Sequence, residues 1–99
     1  MHSNMIRWIP VKEWSRHPVI MNSSIVLVGE VANNGKISHT FTISHKTNPD
    51  TWTIRGHDYD SVGLISLHPV MSSNHRSIDA AKRAAAKWMR NNFKTILDK

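Results

Sequence analysis

The sequence contains no cysteine. That absence excludes disulfide bonds, thiolate nucleophiles and cysteine-ligated zinc sites. It fits a reducing compartment, and residues 1–10 contain no apolar run of the kind that forms a secretory signal. The most apolar cluster, I-V-L-V at residues 25–28, is much shorter than a membrane span. The sequence therefore predicts a cytoplasmic protein without a membrane partner.

Acidic residues are scarce. Seven Asp and Glu stand against 13 Lys and Arg, which gives a net charge of +6 when the histidines are neutral. Such an excess favours a polyanionic partner such as nucleic acid, an anionic membrane surface or an acidic protein. The alternative is that the charge only keeps the molecules apart in solution.

Signatures of catalysis and cofactor binding are also missing. Only four glycines occur, and none belongs to a glycine-rich phosphate loop or a G-x-S-x-G elbow. The seven histidines show no metal-binding spacing. His57 and Asp58, in H-D-Y-D, could in principle act as a general base and a metal ligand, but no second acidic cluster accompanies them. We expect no enzymatic activity, cofactor or metal, and rank a metal-dependent hydrolase third among the alternatives.

A chain of 99 residues is long enough for one hydrophobic core and too short for two. The sequence therefore predicts a single domain over residues 1–99, with a loose tail at 1–4. Pro10 interrupts the segment that follows, which favours a short edge strand at 6–9 or one helical turn after the proline. Residues 19–21, after His17-Pro18, are expected to join the sheet or lead into it.

The centre of the sequence has the patterns of an antiparallel meander. Asn34-Gly35 is the pair that a type I′ hairpin turn requires. Residues 36–46 alternate, which predicts a half-buried strand with an apolar face and a hydroxyl-rich outer face. Residues 56–61 are expected to form a loop, and 68–76 a connection. The predicted strands are residues 23–32, 36–46, 51–56 and 62–67.

The segment with the strongest helical pattern is residues 77–97, which is rich in alanine, lysine and arginine. Its apolar arc, which includes Trp88 and Met89, should cover one face of the sheet. The resulting fold class is α+β: an antiparallel sheet of about four strands covered by a C-terminal helix. Four cations on the other arc form a stripe with few acidic neighbours, flanked by Arg76 and Lys82. The stripe consists of Arg83, Lys87, Arg90 and Lys94.

Two family resemblances bear on this pattern. G-K-x-x-H-x-F-T-I at 35–43, T-W-T-I-R-G at 51–56 and A-A-K-R-A-A-A at 80–86 resemble the second half of a double-stranded-RNA-binding domain. That family has an N-terminal helix and begins its last helix directly after strand three, with a lysine clamp for phosphate. This sequence lacks both features and carries Asp79 at the helix start, which repels phosphate. The resemblance is therefore disfavoured.

From Ile25 onward the layout looks more like small β-meander-plus-helix accessory proteins of bacteriophages and mobile elements, whose covering helix begins S-x-x-A-A-x-x-A-A. This resemblance implies a non-enzymatic protein that binds nucleic acid or host machinery, and anti-CRISPR proteins are among its examples. It assigns no functional residue.

The leading hypothesis is a binding protein that engages nucleic acid, or a complex that handles nucleic acid, through the basic stripe. The alternative is an inhibitor or adaptor that binds a host protein directly, with Trp8, Trp14 and Tyr59 as its aromatic contacts. For Trp8 and Trp14, closure over the end of the core is the competing interpretation. For the stripe, the competing interpretation is the solvated face of an amphipathic helix.

Overall fold

A computed structural model describes residues 6–14, 24–47 and 49–97, and for 93–97 it describes only the helical backbone. Within these residues the strands pair antiparallel in chain order, β1-β2-β3-β4-β5. The elements are β1 (Arg7–Pro10), a 3-10 helix (Val11–Glu13), β2 (Ile25–Asn33), β3 (Lys36–Lys46), β4 (Thr51–Asp58), β5 (Met71–His75) and α1 (Ile78–Leu97). The α+β fold class is confirmed, with five strands where about four were predicted. The segments expected at 1–4 and 19–21 lie outside the described residues.

The predicted hairpin turn joins β2 to β3. Asn34 and Gly35 have φ angles of 54° and 80°, the positive values that a type I′ turn needs at both central residues. At the start of the chain, both expected elements occur in succession, because β1 ends at Pro10 and a single 3-10 turn follows. Proline is tolerated there because β1 is an edge strand.

One face of the sheet, which we call the helix-side face, carries a row of alternating large and small residues. Trp8, Gly29, Phe41, Gly56 and Met71 are successive register partners across the five strands. A Cβ atom at Gly29 would lie 2.7 Å from the Trp8 ring, and one at Gly56 would lie 2.7 Å from the Phe41 ring. The two glycines therefore leave space in which the neighbouring aromatic rings pack against the backbone.

Helix α1 covers this face. Its start is fixed by Ser77, whose Oγ accepts a hydrogen bond from the Ala80 N–H at 3.1 Å, the usual role of an N-cap serine. Ala81 and Met89 are fully buried in the main core. Trp88 packs edge-on against Phe41, with ring centroids 6.1 Å apart. The predicted helix and the core position of Met89 are confirmed, and Trp88 is half-buried and packs against the core.

The opposite face of the sheet was predicted to be polar and outward-facing. Its polar composition is confirmed, but the prediction that it faces solvent is wrong. Thr40, Thr42 and Ser44 of β3 have exposed fractions of 0%, 2% and 9%. A second apolar cluster, built around Trp14 and Val28, lies on this side, since Val28 is the register partner of Thr42. The sheet therefore packs on both faces, with a largely polar layer on the second.

The connection from β4 to β5 also differs from expectation. Strand β4 continues to Asp58 instead of ending in a loop at 56–61. Residues 62–67 form no strand, because the Asp60 carboxylate accepts the N–H groups of Val62 and Leu64, each at 2.9 Å, and Gly63 has a φ of 88°. Local side-chain-to-backbone bonds of this kind compete with strand formation. The last strand instead lies at Met71–His75, inside the predicted connection.

Candidate nucleic-acid interface

The outward face of α1 carries a cationic stripe. Arg83, Lys87 and Arg90 are exposed, whereas Ala81 and Ala85 on the opposite side are fully buried against the sheet. Among the residues whose side chains the structure describes, none of these three cations forms an ion pair. No described carboxylate therefore neutralises these three side chains, and they can bind an external anion.

The fourth predicted member of the stripe, Lys94, lies within α1, but its side chain is outside the described residues. Arg76 is exposed just before the helix, where it borders an open groove of about 360 Å³ together with Asn74 and His75. Lys82 is half-buried, and its Nζ lies 5.8 Å from the centroid of the Trp8 ring. This cation–π contact directs Lys82 toward the edge of the core and away from the stripe.

The three predicted aromatic contacts offer little open surface. Trp14 is 6% exposed, and its indole N–H donates to Glu30 Oε2 at 2.7 Å. Trp8 is half-buried against the main core. Tyr59 is half-buried, with its hydroxyl 2.6 Å from Thr40 Oγ1. For Trp8 and Trp14, the geometry agrees with closure over the core.

The three most exposed large apolar side chains among the described residues lie on the β4–β5 connection. Val62, Leu64 and Leu67 have exposed fractions of 77%, 66% and 66%. This exposed patch was not predicted, because V-G-L-I-S-L at residues 62–67 was interpreted as a strand. The Asp60-Ser61 pair just before it, a common turn sequence, was the available signal.

Two of the histidines, His39 and His57, lie in strands of the sheet. His57 lies in β4, is 5% exposed, and donates from Nδ1 to the Ser66 carbonyl at 2.9 Å. Burial lowers the pKa of His57; the Ser66 carbonyl and Asp58 partly oppose this effect, and Arg55 adds to it. Burial likewise lowers the pKa of His39, against a smaller opposing effect of Asp58.

Neither metal-binding nor membrane-spanning features occur in the described part of the chain. No group of three or more His, Asp or Glu side chains there is arranged to hold a metal ion. No helix in that part has the length and apolar character needed to cross a membrane.

Comparisons with protein-family models, with curated proteins and with solved structures found no match for this chain. Functional inference therefore rests on the geometry of the chain itself.

Proposed function

We propose that this protein binds nucleic acid, or a complex that handles nucleic acid, through the outward face of α1. The observation that carries the proposal is the row of three exposed cations at Arg83, Lys87 and Arg90, none of which forms an ion pair with a side chain that the structure describes. Spacings of 4 and 3 residues keep the three on one side of the helix, and a rise of about 1.5 Å per residue gives a span of roughly 10 Å. By its spacing in the helix, Lys94 continues the same arc, and Arg76 lies just before the helix, whereas Lys82 is directed toward Trp8.

Asp79 restricts where the polyanion binds. It lies in the first turn of α1, where a carboxylate interacts favourably with the helix dipole and repels phosphate. Contacts should therefore run along the middle of the helix, and the N-terminus should not form a phosphate site.

The expected binding is electrostatic and strongly salt-dependent. If Arg83, Lys87 and Arg90 each neutralise one phosphate of a duplex, affinity should fall about 40-fold between 50 and 200 mM salt, from a logarithmic slope of about −0.9 per phosphate. The measurement is fluorescence anisotropy with labelled duplex and single-stranded oligonucleotides over that range of salt. Absence of binding at the lowest salt concentration would refute the proposal.

A charge-reversal pair locates the contact. Lys87→Glu with Arg90→Glu should abolish binding, because it replaces two attractive contacts with two repulsive ones. The matched control is Lys12→Glu with Lys46→Glu, which makes the same change in net charge at two exposed positions in the 3-10 helix and β3. Equal loss in both variants would show that net charge alone, and no particular surface, governs binding.

The exposed aliphatic patch on the β4–β5 connection favours a second candidate function, an inhibitor or adaptor of a host protein. Val62, Leu64 and Leu67 would supply the apolar contact, and the cations would steer the protein toward an acidic partner. A pull-down from a nuclease-treated bacterial lysate separates the two candidates, since a protein partner survives that treatment. Val62→Ser with Leu64→Ser should release such a partner and leave oligonucleotide binding unchanged.

A further inference from the structure

The two edges of the sheet are not equivalent. The β1 edge carries Arg7 and Pro10, a charge and a proline of the kind that natural proteins use to discourage edge pairing. The β5 edge, M-S-S-N-H at Met71–His75, has neither lysine nor arginine nor proline. Only one of the two edges therefore carries protection against another strand.

The outer edge of β5 has unused backbone groups. Its inner edge pairs with β4 from Trp52↔His75 to Gly56↔Met71. In the described part of the chain, no backbone group from any other element bonds to its outer edge. In an antiparallel pair, alternate residues direct both N–H and C=O away from the partner strand. On its outer edge, β5 therefore presents backbone donors and acceptors that no other described element uses.

We propose that β5 pairs antiparallel with β5 of a second copy of this chain, centred on Ser73, to join two five-stranded sheets into one. In this register Met71 lies opposite the partner's His75, and Ser72 lies opposite the partner's Asn74. Every cross-strand pair then joins residues without fixed charge, and the exposed Ser72 and Asn74 side chains can hydrogen-bond across the interface. The sequence of β5 is thus complementary to itself.

The symmetry of this pairing places the two helices together. The two-fold axis of this pairing lies midway between the two copies of Ser73 and runs perpendicular to the sheet. Both copies of α1 therefore lie on the same face. Because α1 packs mainly over β4 and β5, the two cationic stripes become neighbours. Their repulsion opposes dimerisation at low ionic strength and is screened at high ionic strength. Dimerisation should therefore strengthen with salt, whereas association bridged by nucleic acid should weaken.

The test is sedimentation of nuclease-treated protein up to about 1 mM, since a single-strand interface is smaller than the roughly 1,200 Å² of most stable complexes and should be weak. We expect a concentration-dependent shift toward twice the mass of one chain, larger at high salt. A monomer over the whole range would overturn the proposal, and so would association that weakens with salt.

Two variants of the same pair of residues test the register. Ser72→Lys with Asn74→Lys places like charges directly opposite each other in the dimer and should give only monomer. Ser72→Lys with Asn74→Glu places opposite charges together and should restore the dimer. Ser61→Lys with Thr47→Lys, at exposed turn positions, controls for net charge and should dimerise like the unaltered protein. Dimerisation of the double-lysine variant at β5, or loss of dimer in both β5 variants, would overturn the proposed pairing.

Discussion

The Phe41 ring lies across the backbone of Gly56, its register partner on β4, so closely that a Cβ at Gly56 would come within 2.7 Å of Phe41 Cε2. Gly56→Ala should lower the free energy of unfolding by about 1–3 kcal/mol, because the fully buried ring has no room to move away from the added methyl group. Chemical denaturation followed by circular dichroism measures the change.

A shorter side chain at position 41 provides the control. In a Phe41→Leu background the ring that meets the added methyl group is absent, so Gly56→Ala should cost less than it does in the unaltered protein. Equal costs in the two backgrounds would show that the glycine is required for another reason.

Strand β3 shows what periodicity could and could not predict. Its alternation correctly placed Phe41 and Ile43 on the apolar side, because successive side chains of a strand point to opposite faces. The same alternation predicted a solvated outer face, whereas Thr40 and Thr42 are buried. Periodicity tells which side chains share a face, but burial of that face depends on a second layer, here Trp14 and its cluster, which local sequence does not specify.

The exposed cations of the stripe and the closure of Trp8 and Trp14 over the core were predictable from sequence, whereas the residue that pairs with Trp14 was not. Arg83 and Lys87 follow from the 3.6-residue period of one strongly helical segment. The indole N–H of Trp14 donates to Glu30, which is 16 residues away in the sequence. Strand β5 was missed for a similar reason, because M-S-S-N-H has little strand propensity and is ordered by pairing with β4.

The N-cap of α1 gives the second prediction. Ser77→Ala removes the acceptor of the Ala80 N–H and should cost about 1 kcal/mol of unfolding free energy. Ser77→Asp keeps an acceptor at the same place and adds a favourable charge at the helix start, so its stability should match that of the unaltered protein. Thermal or chemical unfolding monitored at the helical circular dichroism band measures both. Equal destabilisation by the two substitutions would contradict a capping role.

The third prediction concerns the Trp14–Glu30 hydrogen bond. Trp14→Phe keeps an aromatic ring but removes the N–H that donates to the buried carboxylate, at an expected cost of about 1–3 kcal/mol. In a Glu30→Gln background the acceptor is neutral, so removal of the N–H should cost less. A double-mutant cycle from denaturation curves gives the coupling, and a coupling of zero would mean that Trp14 contributes through its ring alone.

The last prediction is a pH dependence of stability. Burial lowers the pKa of His57 in the folded protein below its ordinary value of 6.5. The unfolded chain therefore binds more protons than the folded protein once the pH falls below about 6.5. The free energy of unfolding should be constant above that pH and should decrease as the pH falls toward the folded-state pKa. His39, whose pKa burial also lowers, should add to the same trend.

Removing His57 separates its share from that of His39. His57→Gln keeps a side-chain N–H that can donate to the Ser66 carbonyl but has no group that titrates near neutrality. Denaturation curves between about pH 5 and pH 7.5 should show a smaller slope for this variant, and a smaller one still for His39→Gln with His57→Gln. The slope is the decisive readout, because a merely structural cost of the substitution lowers stability equally at every pH. An unchanged slope in the double variant would mean that neither imidazole is held neutral by its burial in the folded protein.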